Sequence, residues 1–77
     1  HKGQEIVLTK KELAFISLLL KQPGVLVLHE DIKKNVWIGE HVSDTAVRTF
    51  IKRVRDKVGE KFIKNVPGLG YKINIEN

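Results

Sequence analysis

The chain has 77 residues, of which 42% are hydrophobic and 30% are charged, and this composition predicts one globular domain over residues 1–77. No apolar run approaches the roughly 18 residues that a membrane span needs, and the absence of cysteine excludes disulfides and thiolate metal sites. The net charge of +5 favours a polyanionic partner, and a chain without methionine that begins at His1 is expected to be a fragment of a longer protein.

The first elements are a short strand over residues 4–8 and a helix over residues 10–21. The sequence TKKE at residues 9–12 is a capping box, because Thr9 can accept from the amide of Glu12 while the Glu12 carboxylate reaches back. The helix places apolar side chains at three- and four-residue spacing, and those expected to face the core are Leu13, Ile16, Leu19 and Leu20.

Residues 25–27 predict a second short strand, and residues 29–37 predict a second helix that directs Ile32, Val36 and Trp37 inward. Trp37 is expected to close the core between the second and third helices. The third helix, over residues 44–58, is expected to begin at a Ser43 or Asp44 cap and to end at Gly59.

The third helix separates apolar from basic residues, which predicts one face in the core and one in solvent. Its apolar face is expected to hold Val47, Phe50, Ile51, Val54 and Val58. The other side is expected to hold Thr45, Arg48, Thr49, Lys52, Arg53, Arg55 and Asp56. Five cations against two anions give this segment +3 of the net charge, and arginine among short polar residues suits a DNA major groove.

Residues 62–75 predict a hairpin, because two β-branched runs flank the turn sequence PGLG. The fold class is therefore α+β: a winged helix-turn-helix with three helices, a C-terminal hairpin wing and a short N-terminal strand. A helix pair followed directly by such a ribbon is typical of DNA binding, with the third helix in the major groove and the wing on the adjacent backbone.

Four segments, in this order, make the chain resemble the effector domain of OmpR/PhoB-family response regulators over essentially its full length: LTKKE, VLVLHEDIKKNVW, VRTFIKRVRDKV and NVPGLGYKI. The resemblance implies sequence-specific binding of double-stranded DNA at promoter direct repeats, and transcription regulation through RNA polymerase. It further implies an N-terminal receiver domain outside this chain, a monomeric isolated domain, a full-length protein that is a dimer on DNA, and a cytoplasmic location.

The resemblance also implies roles for individual residues. The base-reading positions are Arg48, Thr49 and Arg53. The positions that contact the DNA backbone are Thr45, Lys52, Arg55, Tyr71 and Lys72. The loop offered to RNA polymerase is Ile38, Gly39, Glu40, His41 and Val42. The chain departs from the family at Pro67, where many members have a minor-groove arginine, and at Leu28, where a Ser or Thr commonly caps the second helix.

Other functions fit the residues less well. His1, His29 and His41 are too widely spaced to predict a metal site, so no metal or cofactor is expected, and His29 is interpreted as an ordinary surface residue. Gly68-Leu69-Gly70 is interpreted as a turn rather than a phosphate loop, and no nucleophile and base pair predicts an enzyme. The main alternative is a winged helix that docks on protein and has only non-specific DNA affinity, followed by RNA binding and membrane-surface binding.

Overall fold

The computed structural model describes residues 6–74, and this range folds into three helices and a three-stranded antiparallel sheet. In chain order the elements are α1 (Lys10–Leu20), β1 (Val27–Leu28), α2 (His29–Val36), α3 (Asp44–Val58), β2 (Ile63–Val66) and β3 (Gly70–Ile73). The sheet order is β1-β3-β2, so the hairpin β2-β3 is joined to the helices through β1. This arrangement confirms the predicted α+β winged-helix class.

Helix starts follow the local capping signals. The Thr9 hydroxyl accepts from the backbone N–H of Glu12 at 3.2 Å, and the N–H of Thr9 donates to the Glu12 carboxylate at 2.9 Å, so the predicted capping box is present. Ser43 caps α3 by accepting from the N–H of Ala46 at 3.1 Å, and Gly59 ends that helix with a φ of +105°.

The strands differ from the sequence prediction at two places, and the hairpin lies within its predicted range. Of the N-terminal strand predicted at 4–8, residues 4 and 5 lie outside the described part of the chain, and 6–8 belong to no strand. The strand predicted at 25–27 occurs at Val27–Leu28, because these two residues pair with β3. The hairpin strands fall inside the predicted 62–75, of which residue 75 also lies outside the described range.

The core face of α1 was predicted wrongly in part. Ile16 and Leu19 are buried as expected, but Leu13 and Leu20 are 55% and 49% exposed. The buried stripe is rotated towards Phe15, whose ring packs edge-on against Phe50 of α3 and Tyr71 of β3 at centroid distances of 6.0 and 6.3 Å. The apolar spacing of a short helix does not show which of its apolar side chains contact the neighbouring elements, since tertiary packing decides which of them are buried.

One hydrophobic core draws on every element. Trp37 is 9% exposed and meets the Phe50 ring of α3 edge-on at 4.8 Å, which confirms its predicted place between the second and third helices. The buried hydrophobic residues are Phe15, Ile16, Leu19, Val27, Ile32, Val36, Trp37, Val47, Ile51, Val54, Ile63, Tyr71 and Ile73.

An ion pair ties the start of α1 to the end of α3. The ammonium of Lys57 lies 2.7 Å from the Glu12 carboxylate, which is only 5% exposed, and it also donates to the carbonyl oxygen of Val7. Burial by itself raises the pKa of Glu12, but the hydrogen bond from Lys57, the backbone N–H of Thr9 and the Lys57 charge together lower it below its ordinary value of 4.5. The ionised carboxylate therefore stabilises the fold.

We expect Glu12→Gln to lower the free energy of unfolding at pH 7 by about 1 to 3 kcal/mol, since the ion pair is lost while Lys57 stays in place. A lowered carboxyl pKa contributes stability above pH 4.5 that disappears as the pH falls through the folded-state value. Urea unfolding measured from pH 7 to pH 3 should therefore show that the variant loses less free energy of unfolding on acidification than the wild type does. The exposed pair Lys11–Glu40 supplies the control, as Glu40→Gln should cost well under about 1 kcal/mol. Equal costs for the two variants would contradict this role of Glu12.

Gly70 sets the spacing between the hairpin and β1. It pairs with Leu28 across the β1-β3 ladder, and a Cβ atom at Gly70 would overlap the carbonyl oxygen of Val27 and lie 2.9 Å from its carbonyl carbon. Only glycine permits this approach of two backbones. The position of the hairpin relative to β1 therefore depends on the absence of a side chain at residue 70.

The variant Gly70→Ala should lower the free energy of unfolding by about 3 kcal/mol or more, because the β1 and β3 backbones must separate. Gly68→Ala is the matched control two residues away, where φ is +77° and the space is open, so its cost should be only about 1 to 2 kcal/mol of backbone strain. Thermal unfolding of both variants measures the difference, and a Gly70→Ala protein as stable as Gly68→Ala would show that the close approach is unimportant.

Candidate nucleic-acid interface

Helix α3 presents one polar face to solvent, as its spacing predicts. Val47, Ile51 and Val54 are at most 1% exposed and anchor the opposite side in the core. The exposed side chains on the polar face are Thr45, Arg48, Thr49, Lys52, Arg53 and Asp56. This face is the surface of α3 that a partner can reach.

The five cations of α3 are not equivalent. Lys57 is held by Glu12, and Arg55 is half-buried with its Nη2 atom 3.4 Å from the carbonyl oxygen of Glu60. Arg48, Lys52 and Arg53 form no ion pair with any of the residues that the structure describes. The positive charge available to an anion therefore lies on these three side chains.

The wing (residues 63–73, strands β2 and β3 with their turn) carries two more cations. Lys64 lies directly opposite Lys72 in the β2-β3 register. Like charges in this position repel each other, and an anion placed between them relieves the repulsion. The sequence analysis included Lys72 among the candidate site residues and missed Lys64, although the hairpin register around PGLG pairs these two positions.

A cleft separates α3 from the tip of the wing, and the start of α2 forms its floor. Its volume is about 480 Å³, and its lining residues are Leu28, His29, Glu30, Lys33, Asp44, Arg48, Gly68 and Leu69. Lys33 forms an ion pair with Asp44 across it. The Lys33 ammonium is the main reason that the pKa of Asp44 lies below its ordinary 3.8, and the charges of Arg48 and His29 add to the effect.

The start of α2 is held by the wing. Leu28 occupies the cap position and makes no side-chain cap hydrogen bond, as expected from its chemistry. The N–H of His29 instead donates to the carbonyl oxygen of Leu69 at 3.2 Å. Gly68 permits the tight turn with its φ of +77°. The N–H of Leu69 donates to the carbonyl oxygen of Val66 at 3.1 Å and closes the turn. Gly68 and Leu69 thus lie in a turn, as predicted, while Gly70 is the first residue of β3. The turn fixes the wing against α2.

Two of the residues predicted to contact the DNA backbone are less exposed than the others. Tyr71 is 6% exposed, and its ring packs on Phe15 and lies 5.5 Å from the ring of His29. Arg55 lies beside the turn after α3, and its buried Nε has no hydrogen-bond partner within residues 6–74. By contrast Thr45 and Lys52 are exposed, and Lys72 is half-buried.

The loop between α2 and α3 contributes none of its residues 38–42 to the lining of the cleft. Ile38 is 75% exposed, and Gly39, Glu40 and His41 are exposed too, whereas Val42 is half-buried against the core. Glu40 forms an ion pair with Lys11 at 2.9 Å, which ties the loop to α1. The loop therefore offers a protruding apolar side chain on an anchored segment.

None of the helices within residues 6–74 is long and apolar enough to cross a bilayer. In the same range, no three His, Asp or Glu side chains come together in an arrangement that could hold a metal ion.

The helix pair, the exposed basic face of α3 and the wing beside it define the winged-helix class of DNA-binding domains. Residues 3–73 match the family described as "Transcriptional regulatory protein, C terminal". The chain belongs to this family, the effector domains of OmpR/PhoB-type response regulators. It is a DNA-binding output domain for transcription regulation, as the resemblance implied, and the family is not an enzyme class. The protein-docking alternative is not favoured.

Relatives of known sequence and structure support this assignment. The regulatory protein VanRB of Enterococcus faecalis is 36% identical over 72 residues, which are 92% of this chain and 33% of that protein. BasR of Escherichia coli is 37% identical over 79 residues, covering 97% of this chain and 35% of the relative. The DNA-binding domain of Bacillus subtilis CssR superposes with a TM-score of 0.83 at 30% identity, covering 95% of this chain and 84% of that one. The chain thus spans about a third of the length of its curated relatives.

Proposed function

We propose that this domain binds promoter direct repeats in double-stranded DNA as the output domain of a two-component response regulator. The observation that carries the proposal is the exposed set Arg48, Lys52 and Arg53, which form no ion pair within residues 6–74 and lie beside a wing that carries Lys64 and Lys72. A helix fits the major groove, which is about 12 Å wide, and the wing then meets the adjacent backbone.

In this proposal the two kinds of contact are divided between two sets of residues. Arg48, Thr49 and Arg53 read base edges in the major groove, because arginine donates to the acceptor pair on guanine and threonine permits close approach. The residues that position the domain on phosphates are Thr45, Lys52, Arg55, Tyr71 and Lys72. Lys64 joins the second set because it lies opposite Lys72.

The remaining parts of the proposal concern the whole protein. The chain covers about a third of its relatives, which leaves length for a receiver domain N-terminal to it. The isolated domain is monomeric, and the full-length protein is a dimer on DNA, in the cytoplasm where bacterial DNA lies. The loop of Ile38, Gly39, Glu40, His41 and Val42 contacts RNA polymerase, which its exposure and its anchor through Glu40 support.

Selection of bound duplexes from a random pool at about 150 mM salt tests the central proposal. We expect one enriched motif, and an anisotropy titration should show a preference of at least about 10³ over a scrambled duplex. Enrichment of no motif, with binding that depends only on salt, would contradict the proposal and favour a winged helix that docks on protein.

Two substitutions separate base reading from phosphate contact. Arg53→Ala should cost about 1 to 3 kcal/mol on the selected duplex and relax one base position, because a guanidinium fork that meets one base is lost. Lys72→Ala should weaken the selected and scrambled duplexes equally and reduce the salt slope by about 0.9, since one phosphate contact disappears. The measurement is anisotropy at several salt concentrations, and an equal loss on both duplexes for Arg53→Ala would rule out its base-reading role.

A further inference from the structure

With α3 in a major groove and the wing on the adjacent backbone, the sugar-phosphate strand at the edge of that groove lies between α3 and the wing tip. This strand must then pass between Arg48 on one side of the cleft and Gly68 and Leu69 on the other. The residues on the floor of the cleft then face phosphate oxygens. This path of the DNA strand rests on the proposed function.

The fixed charges in the cleft cancel at neutral pH. Its lining includes two permanent cations, Lys33 and Arg48, and two carboxylates, Glu30 and Asp44. Lys33 is committed to Asp44 through their ion pair. A phosphate that enters the cleft therefore meets little net positive charge from these four groups, which is unusual for a surface that receives a DNA strand.

His29 is the remaining group in the cleft that can become a cation. It lies at the first position of α2 and lines the cleft together with Gly68 and Leu69. It also lines a smaller neighbouring cavity of about 260 Å³, together with Asn65 and Tyr71. Its ring is half-buried and lies 5.5 Å from that of Tyr71 at an angle of 53°, which limits its movement. The charged or titratable groups that face it are Glu30 and Lys33 of α2, Asp44 and Arg48 of α3, and Tyr71 of β3.

We propose that His29 contacts a DNA backbone phosphate in its protonated form, so that duplex affinity increases as the pH falls. Histidine is the side chain whose charge ordinarily changes between pH 5 and 8, whereas a phosphodiester stays ionised throughout this range. Protonation changes the cleft from near neutral to a net charge of +1 and supplies a donor for a charge-assisted hydrogen bond. His29 is then part of the interface rather than an ordinary surface residue.

The size of the effect follows from counterion release. One additional phosphate contact changes the salt slope by about 0.9, which corresponds to about a fivefold gain in affinity at 150 mM salt. The selected duplex should therefore bind the wild type about fivefold more tightly at pH 5.5 than at pH 8, with a salt slope steeper by about 0.9.

Anisotropy titrations at pH 5.5 and 8 with matched ionic strength test the proposal, and circular dichroism at both values checks that each variant is folded. His29→Gln should bind weakly at both values of pH, because glutamine cannot take up a proton. His29→Arg should bind tightly at both, because its charge is permanent. His41→Gln is the matched control, since His41 is exposed in the loop after α2 and does not line the cleft. The proposed partner of this loop is RNA polymerase, which is absent from the titration, so the variant should keep the wild-type pH dependence.

The outcomes separate this inference from the proposed function. An unchanged pH dependence in His29→Gln or His29→Arg, or its loss in His41→Gln, would overturn the role of His29 while leaving sequence-specific binding in place. If the wild type shows no preference for any duplex at either pH, the proposed function fails first. The backbone hydrogen bond from His29 to Leu69 does not involve the side chain, so these variants retain the support of the wing.

Discussion

The close contact between the backbones of Gly70 and Val27 determines the position of the wing relative to β1. Because β3 is the middle strand, its pairing with β1 places the hairpin beside the start of α2, which follows β1 without a loop. The Leu69 carbonyl then accepts from the N–H of His29 and holds the helix start that Leu28 leaves uncapped. The distance between the wing and α3, and hence the width of the cleft, depends on this one narrow spacing.

The charges of the domain divide into those that hold the fold and those left for a partner. Lys57 and Lys33 are committed to Glu12 and Asp44, and Lys11 to Glu40, so each pair joins two different segments. The cations on the open face of α3 have no such partner among the described residues. On the wing, Lys64 and Lys72 lie opposite each other across the β2-β3 ladder, so two like charges face each other. A surface of this kind is favourable chiefly when an anion covers it, which agrees with the DNA-binding family to which the chain belongs.

Local signals in the sequence were sufficient for most of the fold. The capping box at Thr9, the Ser43 cap and Gly59 predicted the helix ends, because each acts within four residues of the chain. The apolar spacing of α3 predicted both its buried and its exposed face, since the two differ so strongly in polarity. For α1 the same reasoning placed Leu13 and Leu20 in the core, and it could not anticipate that packing around Phe15 turns them towards solvent.

The sequence by itself thus determined the order of the elements from α1 onward, the helix starts and the basic face of α3, because these depend on neighbouring residues and on periodicity. The tertiary structure alone decided which side chains meet across the chain. It committed Lys57 to Glu12 over a separation of 45 residues, buried Tyr71 against Phe15, and brought His29 into the cleft with Arg48 and Leu69. Such contacts depend on how the strands pair and how the helices pack, and local patterns in the sequence do not encode those distances.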